Sequence, residues 1–531
     1  MVERRIGKLG KSSLIGTQFF TINMGEKTIS DIRQEFDDID KSILVLLGMR
    51  QKLSKEIAVI KRLHDLPVLQ NEIWNTHLKR RIQENQTIKL NDDFLNQIFN
   101  LLHKESIRIQ KSRTGKNNMT RTIELMSPAG SYESLMAAIK AGCNSVYFGI
   151  EQLNMRARSS NNFTLEDLKH IANIGRENQV KTYLTLNTIL YDHDISLMKR
   201  IVDEAKTCGI TAIIASDHAV MNYAKKIEME IHVSTQSNVS NIDTVEFYAN
   251  YADVAVLARE LSLKQVADIS KEIKRRNIIG PSGKLIELEI FAHGALCMAV
   301  SGKCYLSLHS HFASANRGAC IQNCRRSYIV TDKEEGIEFE VDNEFIMSAK
   351  DLCTIDFIDK ILDAGVKVLK IEGRGRSVDY VHTVTTCYNA AINSYLEDTY
   401  TKEKTELWKT QLATVFNRGF WDGYYLGRKM GEWCDENGSK SSKRKIYLAK
   451  GIHYFDKANV GEFKCESHSL SLGDEIMISG PTTGYLELTI SELRVNGQAT
   501  EKVVKGQSFT IHTPERIRPS DKLYKLVPEA S

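Results

Sequence analysis

The sequence predicts a multidomain chain: an all-α helical domain, then a (β/α)8 barrel-like α/β domain, then a small C-terminal β-barrel. Three observations predict it. The chain has 531 residues, enough for about three domains of ordinary size. Its first hundred residues repeat apolar positions at three- and four-residue steps. The rest changes first to short apolar runs alternating with amphipathic helices, then to short alternating runs broken by Gly and Asn.

The helical domain is read as residues 27–112. In "ISDIRQEFDDIDKSILVLLGMRQKLSKEIAVIKR", Ile32, Phe36, Ile39, Ile43, Leu46, Leu53 and Ile57 fall on one stripe of a single helix about 50 Å long. Pro67 interrupts the pattern, and "NEIWNTHLKRRIQENQ" and "NDDFLNQIFNLLHKESIRIQKS" predict two further helices, the last with Asn91 as its N-cap. A long helix with two shorter ones cannot cover its own apolar stripe, so a homodimer through this domain is expected. Before it, residues 1–26 begin basic but lack an apolar signal core, and read as a disordered leader, with Met24 an alternative start.

Residues 113–121 are polar and aperiodic, a linker. From 122 to 436 the runs "IELMS", "SVYFG", "KTYLTLN", "AIIAS", "EIHVST", "VAVLA", "ELEIFAHG" and "VLKIEG" alternate with helices such as "SYESLMAAIKAG". Eight βα repeats predict a closed parallel barrel. Polar residues collect where its strands end: Ser127, Asn187, Asp217, Thr235, Gln236, Arg259, Glu260, His293, Glu372 and Arg374. That face carries the chemistry in barrels of this kind. A second linker is read at 437–445, and 446–531 as the β-barrel, serving to dock substrate.

Composition narrows the function. Apolar residues make up 42% and charged residues 26%, ordinary values for globular protein, and the net charge of +4 does not demand a polyanionic partner. Basic runs are local: Lys79 to Arg81, Lys274 to Arg276, Arg325-Arg326 and Lys440 to Lys445. No run of about 18 apolar residues predicts a membrane span. Ten cysteines in this length are no disulfide scaffold, and the chain reads as cytoplasmic.

Four of those cysteines stand together. Cys297, Cys304, Cys320 and Cys324 are separated by six, fifteen and three residues. Structural zinc sites favour tight pairs on both sides, which the first spacing does not supply. An iron–sulfur cluster held by four thiolates tolerates wider spacing, and Gly294, Gly302 and Gly318 let the backbone approach it closely. Zinc and four merely buried thiols are the alternatives.

"EIFAHGALCMAVSGKCYLS" (289–307) resembles the signature of the collagenase-like peptidase family U32. The resemblance continues through "SPAG" (127–130), "VYFGIEQLNMRARSSNNFTLEDL" (146–168), "VSTQSNVSN" (233–241), "LARELS" (257–262), "NRGACIQNCRRSY" (316–328), "MSAKDLC" (347–353), "LKIEGRGRS" (369–377) and "FNRGF" (416–420), and covers about 122–531. The sequence offers no Ser/His/Asp or Cys/His arrangement and no HExxH for peptidase chemistry. Members resembling this chain are RNA hydroxylation proteins, acting on wobble uridine of tRNA or cytidine of rRNA. The resemblance therefore implies 5-hydroxylation of tRNA (or rRNA), a 4Fe–4S cluster on Cys297, Cys304, Cys320 and Cys324, and prephenate as co-substrate. Arg156, Arg158, Arg259 and Arg374 are candidates for gripping its carboxylates or an RNA phosphate. Asn187, His232, Gln236, His293 and Glu372 are candidates for base recognition or proton transfer.

The helical domain resembles an all-helical chorismate mutase. Arg33 in "DIRQEFDDID", Arg50 in "LLGMRQKL", Lys61 in "AVIKR", and Ser106 and Gln110 in "ESIRIQ" fall where that family places its contacts. Chorismate is a dicarboxylate that rearranges to prephenate with charge building on an ether oxygen, so cations and amides suffice and no nucleophile is needed. The pattern departs after "LPV" (66–68). Gln70, Ile73 and Trp74 stand where the family has an acidic residue and an Arg–Glu pair, which implies a weakened mutase or a domain that only binds. Two other readings stay open: a collagenase-like peptidase, and a non-catalytic sensor of chorismate or prephenate with an RNA-binding barrel.

Overall fold

The computed structural model describes residues 28–63, 80–85, 89–113, 123–158, 162–326, 328–341, 348–427, 432–434 and 438–529. The chain divides into two compact units, one up to Arg121 and one from Thr122 onward.

In the first unit, helix α1 (Ile29–Leu63) packs along α2 (Asp92–Arg113). Asn91 caps α2, its side-chain oxygen accepting from the Phe94 amide at 3.0 Å. Residues 80–85 are helical; the remainder of the expected middle helix lies outside the described residues. The apolar stripe of α1 stays uncovered: Ile32, Phe36, Ile39, Ile43, Leu46, Leu53 and Ile57 are all exposed.

The second unit is built on a closed barrel of eight parallel strands: β1 (Glu124–Pro128), β2 (Ser145–Phe148), β3 (Lys181–Leu186), β4 (Ala212–Ala215), β5 (Glu230–Val233), β6 (Val254–Val256), β7 (Glu287–Gly294) and β8 (Val368–Ile371). All eight apolar runs named above form these strands. Closure comes from β8, which pairs with β1 and with β7. Leu125, Val146, Leu184, Ile213, Ile231, Leu288 and Leu369 face outward under the helices and form the main core. The alternate positions face inward. Helix α3 (Tyr132–Lys140) starts at Ser131, whose hydroxyl accepts from the Ser134 amide. Asp217 and Asn241 cap two further helices in the same way, so the polarity of Asp217 at a strand end serves local structure. Short strands Asp351–Cys353 and Phe420–Trp421 extend the sheet beyond the end of β7.

The C-terminal region is antiparallel sheet, but not the closed barrel expected from its alternating runs. Eight strands lie in one sheet with Gly484–Thr489 at one end and Gln498–Ala499 at the other, and these ends do not pair. Bulges near Tyr447 and Gly451 bend the long strand Lys443–Phe455 without closing the sheet. That strand begins inside the segment read as a linker. The Gly484–Thr489 edge is covered by the outer helices of the barrel instead of by another strand. Ala137 packs with Met477 and Tyr485, the rings of Tyr485 and His382 stack at 4.2 Å, and Lys445 pairs with Asp379 at 2.5 Å. No helix among the described residues is long and apolar enough to cross a membrane.

Gly484 makes this docking possible. Its φ is +65°, and a Cβ there would lie 2.9 Å from Cβ of Met136 and 3.0 Å from the Ala137 amide, backbone that cannot move aside. Gly484→Ala is expected to cost about 1–3 kcal/mol, read as a lowered urea midpoint of the second unit.

Candidate functional site

Strand β8 and the residues after it run Lys370, Ile371, Glu372, Gly373, Arg374. With Val368 inside the barrel, the two-residue period aims Lys370 inward and carries Glu372 and Arg374 to the mouth. A cavity of about 410 Å³ opens there. It is walled by these three side chains, by Asn187 after β3, Gln236 after β5 and Arg259 after β6, and by the loops that carry the cysteines.

Charge in the cavity is organised around Glu372. Its carboxylate accepts from Arg156 at 2.8 Å and from the Tyr147 hydroxyl at 3.4 Å. Burial alone would raise its pKa; Arg156, Arg259 and Arg374 outweigh burial and hold it down at about 2. Arg374 is buried and donates to the Thr185 hydroxyl (2.9 Å) and the Asn154 amide oxygen (3.0 Å). Burial brings its guanidinium down to about 10, still charged at neutral pH. The Arg259 guanidinium carbon stands over the Phe291 ring at 3.9 Å and the group donates to the Ala295 carbonyl, and its Nε has no partner among the described residues. Asn187 donates to Ser234 Oγ and Gln236 Oε1, both at 3.3 Å, a row of amide and hydroxyl groups along one wall.

Cys297, Cys304, Cys320 and Cys324 all line this cavity. The first two follow β7; the others follow the short helix Leu306–His311. Ser307 ties the two segments, its hydroxyl accepting from the Ile321 amide (3.1 Å) and reaching Cys320 Sγ at 3.9 Å. Burial pushes the Cys324 thiol up; Arg325 opposes this, and the Cys297, Cys320 and Cys304 thiols add to it. Gly318 (φ +83°) sits where a Cβ would meet the Asn154 carbonyl oxygen at 2.2 Å, so a side chain there would break the cysteine loop away from the barrel. Among the described residues, no three His, Cys, Asp or Glu side chains converge as ligands of one metal ion. The other six cysteines stand apart, five buried and Cys208 half-buried.

Three sequence candidates lie elsewhere. Arg158 is exposed and outside the cavity wall; only its backbone joins the cysteine loop, through Gly318. His293 faces away from the cavity. Two-residue alternation from Phe291 aims it inward, but an irregularity between β7 and β8 pairs it with outward-facing Ile371. Its ring packs against Tyr380, Tyr388 and Phe420, and burial, with Arg376 adding, lowers its pKa to about 3. His232 does lie inside the barrel, but beneath the cavity. It faces Glu289 at 3.3 Å and Glu230 at 3.4 Å, and Glu289 in turn holds Lys370 at 2.7 Å. Sequence reasoning missed Lys370, Arg376 and Arg418, which line the cavity too. Lys370 and Arg376 keep the same two-residue step as Glu372 and Arg374, a signal already present in "LKIEGRGRS". Arg418 sits in "FNRGF" far along the chain, and only the fold brings it beside Asp351 at 3.2 Å.

In the first unit, Arg50 of α1 donates to the Leu102 carbonyl (2.7 Å) and the Ser106 hydroxyl (2.5 Å) of α2. Arg33 is exposed and stands seventeen residues earlier on the same helix, about 25 Å away. The side chains of Lys61 and Gln110, and residues Gln70, Ile73 and Trp74, lie outside the described residues.

Comparison with known proteins gives two family matches. Residues 130–435 match the family described as peptidase family U32, and residues 32–111 match chorismate mutase type II. A protein of Porphyromonas gingivalis named collagenase is 58% identical over 403 residues, 76% of this chain and 97% of the relative. The tRNA hydroxylation protein P of Helicobacter pylori is 33% identical, covering 58% of this chain and 72% of the relative. A 23S rRNA 5-hydroxycytidine synthase of Escherichia coli is 30% identical, covering 58% of this chain and 46% of the relative.

The buried charges beneath the cavity make stability depend on pH. Burial would lower the His232 pKa, but the carboxylates of Glu230 and Glu289 outweigh it and raise it from 6.5 to about 9. A folded-state pKa above the unfolded one stabilises fully below the unfolded value and is lost as pH rises through the folded value. Urea unfolding should therefore show a His232-dependent contribution that is full below pH 6.5 and fades as pH rises through about 9, absent in His232→Gln. Glu289→Ala leaves buried Lys370 without its carboxylate and takes one of two from His232, and is expected to cost about 3–5 kcal/mol.

Proposed function

The chain belongs to peptidase family U32, and from that premise we propose that it is an RNA-modifying enzyme hydroxylating uridine of tRNA at the pyrimidine 5-position in the cytoplasm. The reaction depends on prephenate and on a 4Fe–4S cluster, and the first unit supplies prephenate from chorismate. The observation that carries this reading is the cavity itself: four thiols and an excess of guanidinium groups around one space. The relatives named for tRNA and rRNA hydroxylation support it.

The donor set suits a cluster better than a single zinc ion. Four thiolates on a cubane stand several ångströms apart, whereas zinc draws its ligands to about 2.3 Å. Cys297, Cys304, Cys320 and Cys324 share one cavity wall, and among the described residues no three of them converge on one ion position, which argues against zinc. A cluster held there supplies one-electron chemistry or an open iron position.

The chain's own residues do the rest. Arg374 and Arg259 are charged forks held by neutral acceptors, suited to the carboxylates of prephenate. Glu372, ionised and paired with Arg156, lies near both guanidinium groups. Asn187, Ser234 and Gln236 present donors and acceptors for the edge of an unstacked pyrimidine, which must leave its helix for its 5-position to be reached. In the first unit, the 25 Å between Arg33 and Arg50 excludes one small dicarboxylate touching both within one chain. A site that uses both therefore needs Arg33 from a second copy, and the uncovered stripe of α1 offers the face for it, so the active form is a homodimer.

The collagenase name of the Porphyromonas relative favours a second reading, peptide cleavage. Among the described residues no histidine lines the cavity to activate a cysteine, which weighs against it.

Deleting the gene and measuring tRNA nucleosides by mass spectrometry tests the reading: 5-hydroxyuridine and its derivatives should disappear, and the wild-type gene should restore them. Cys304→Ala should fail to restore them, and the purified variant should lose the brown absorption near roughly 400 nm. Unchanged nucleosides alongside peptide cleavage by the purified protein would decide for the peptidase.

A further inference from the structure

From Ile290 to Thr331 the chain contains no aspartate or glutamate, although it has 67 of them in all. The stretch carries Lys303, Arg317, Arg325 and Arg326. The other basic runs that can be followed are neutralised locally: Arg80 and Arg81 pair with Glu84, and Arg275 and Arg276 pair with Glu272. This lobe, which holds all four cysteines, has no acidic residue of its own: Arg317 is paired with Asp194 of the barrel, and Lys303, Arg325 and Arg326 carry its positive charge.

It also exposes rings that stack on no other ring among the described residues. Phe312 is 94% exposed and Tyr305 77%. Tyr305 lies between Cys304 and Leu306, which both line the cavity, and Ala315 of the cavity wall follows Phe312 by three residues. Phe312 ends the helix Leu306–His311 in the left-handed region, with φ 53° and ψ 29°. Glycine adopts that conformation without strain; a bulky side chain there is an outlier. A ring that strains its own backbone and contributes no burial needs an external reason to be there. On the adjoining barrel loop after Asn187, exposed Tyr191 has the Arg317 guanidinium over its face at 4.2 Å, and Arg317 also donates to the Ile189 carbonyl. The Arg317–Asp194 pair sets this stack in place.

Flat faces amid positive charge, beside a cavity that admits one small ring, suit a polyanion that offers π surfaces. We propose that Phe312, Tyr305 and the Tyr191–Arg317 pair form a stacking rim that holds the unpaired nucleotides flanking the base in the cavity. This rests on the RNA reading given above and adds how the enzyme selects a single-stranded loop over a duplex.

The test titrates the full-length protein with a fluorescent hairpin RNA bearing an unpaired, uridine-containing loop, and with a blunt RNA duplex of equal length. Phe312→Gly should weaken hairpin binding about tenfold and leave duplex binding unchanged. It should also preserve or raise the Tm, because glycine relaxes the left-handed backbone. Its salt dependence should match wild type, whereas Arg326→Ala should reduce the slope of log K against log salt by about 0.7. Phe312→Tyr should bind as wild type. Hairpin affinity unchanged in Phe312→Gly, with wild-type binding intact, overturns the rim and leaves the RNA reading standing. Failure of the wild-type protein to bind the hairpin overturns both. Weakened binding of Phe312→Gly to phosphatidylserine vesicles, with hairpin binding unaffected, assigns the rings to a lipid surface and overturns the proposal.

Discussion

The pairing of β8 with both β1 and β7 is the constraint on which the second unit depends. It closes the barrel, and in doing so gives β8 one face that looks inward along its whole length. Lys370, Glu372 and Arg374 inherit their directions from that closure. The irregularity at the β7–β8 seam has an opposite consequence a few residues away, turning His293 out of the barrel and into an aromatic layer. Gly294, with φ +108°, then lets the end of β7 lie against the Glu372 backbone, where a Cβ would stand 2.5 Å from the carbonyl oxygen. One seam thus selects which polar residues of two strands reach the cavity.

Below the cavity the barrel interior departs from the layered aliphatic packing common to such barrels. Glu289 is fully buried between His232 and Lys370, and Tyr183, Glu124 and Lys181 continue the hydrogen-bonded set toward the other end. Charges this deep persist only when paired, and each here has an opposite neighbour. The arrangement holds Lys370 Nζ over the Tyr147 ring at 4.7 Å. The Lys370 side chain in the cavity wall is therefore fixed from beneath by Glu289.

Much of this was legible in the sequence because it follows from periodicity. All eight barrel strands, the long first helix and the Asn91 cap announce themselves through spacing and residue type, and so does the gathering of Asn187, Gln236, Arg259, Glu372 and Arg374 at the strand ends. The misses have definite physical origins. His293 was misplaced by an irregularity, which a strict two-residue count cannot anticipate. His232, a candidate for base recognition or proton transfer, lies a layer below the cavity, because strand position alone does not give depth. Arg418 could not be found at all, since nothing local connects it to Asp351. The C-terminal sheet was read as closed because alternation reports one buried face and says nothing about what covers the edge, which is helix here rather than strand.

The arginines divide into two kinds, and the division accounts for what the cavity can bind. Arg156 and Arg418 face carboxylates, Glu372 and Asp351, and their charge is balanced within the protein. Arg259, Arg325 and Arg374 are held instead by neutral oxygens: the Ala295 and Leu296 carbonyls, and the Thr185 and Asn154 side chains. Neutral acceptors fix a guanidinium's position without cancelling its charge, so its attraction remains available to a guest. Arg50 of the first unit is held the same way, by the Leu102 carbonyl and the Ser106 hydroxyl. Two folds with no shared architecture have arrived at one device, an arginine preoriented by neutral acceptors. On the function proposed here both meet the same chemical class, a small dicarboxylate, first as a compound to be rearranged and then as one on which a second reaction depends.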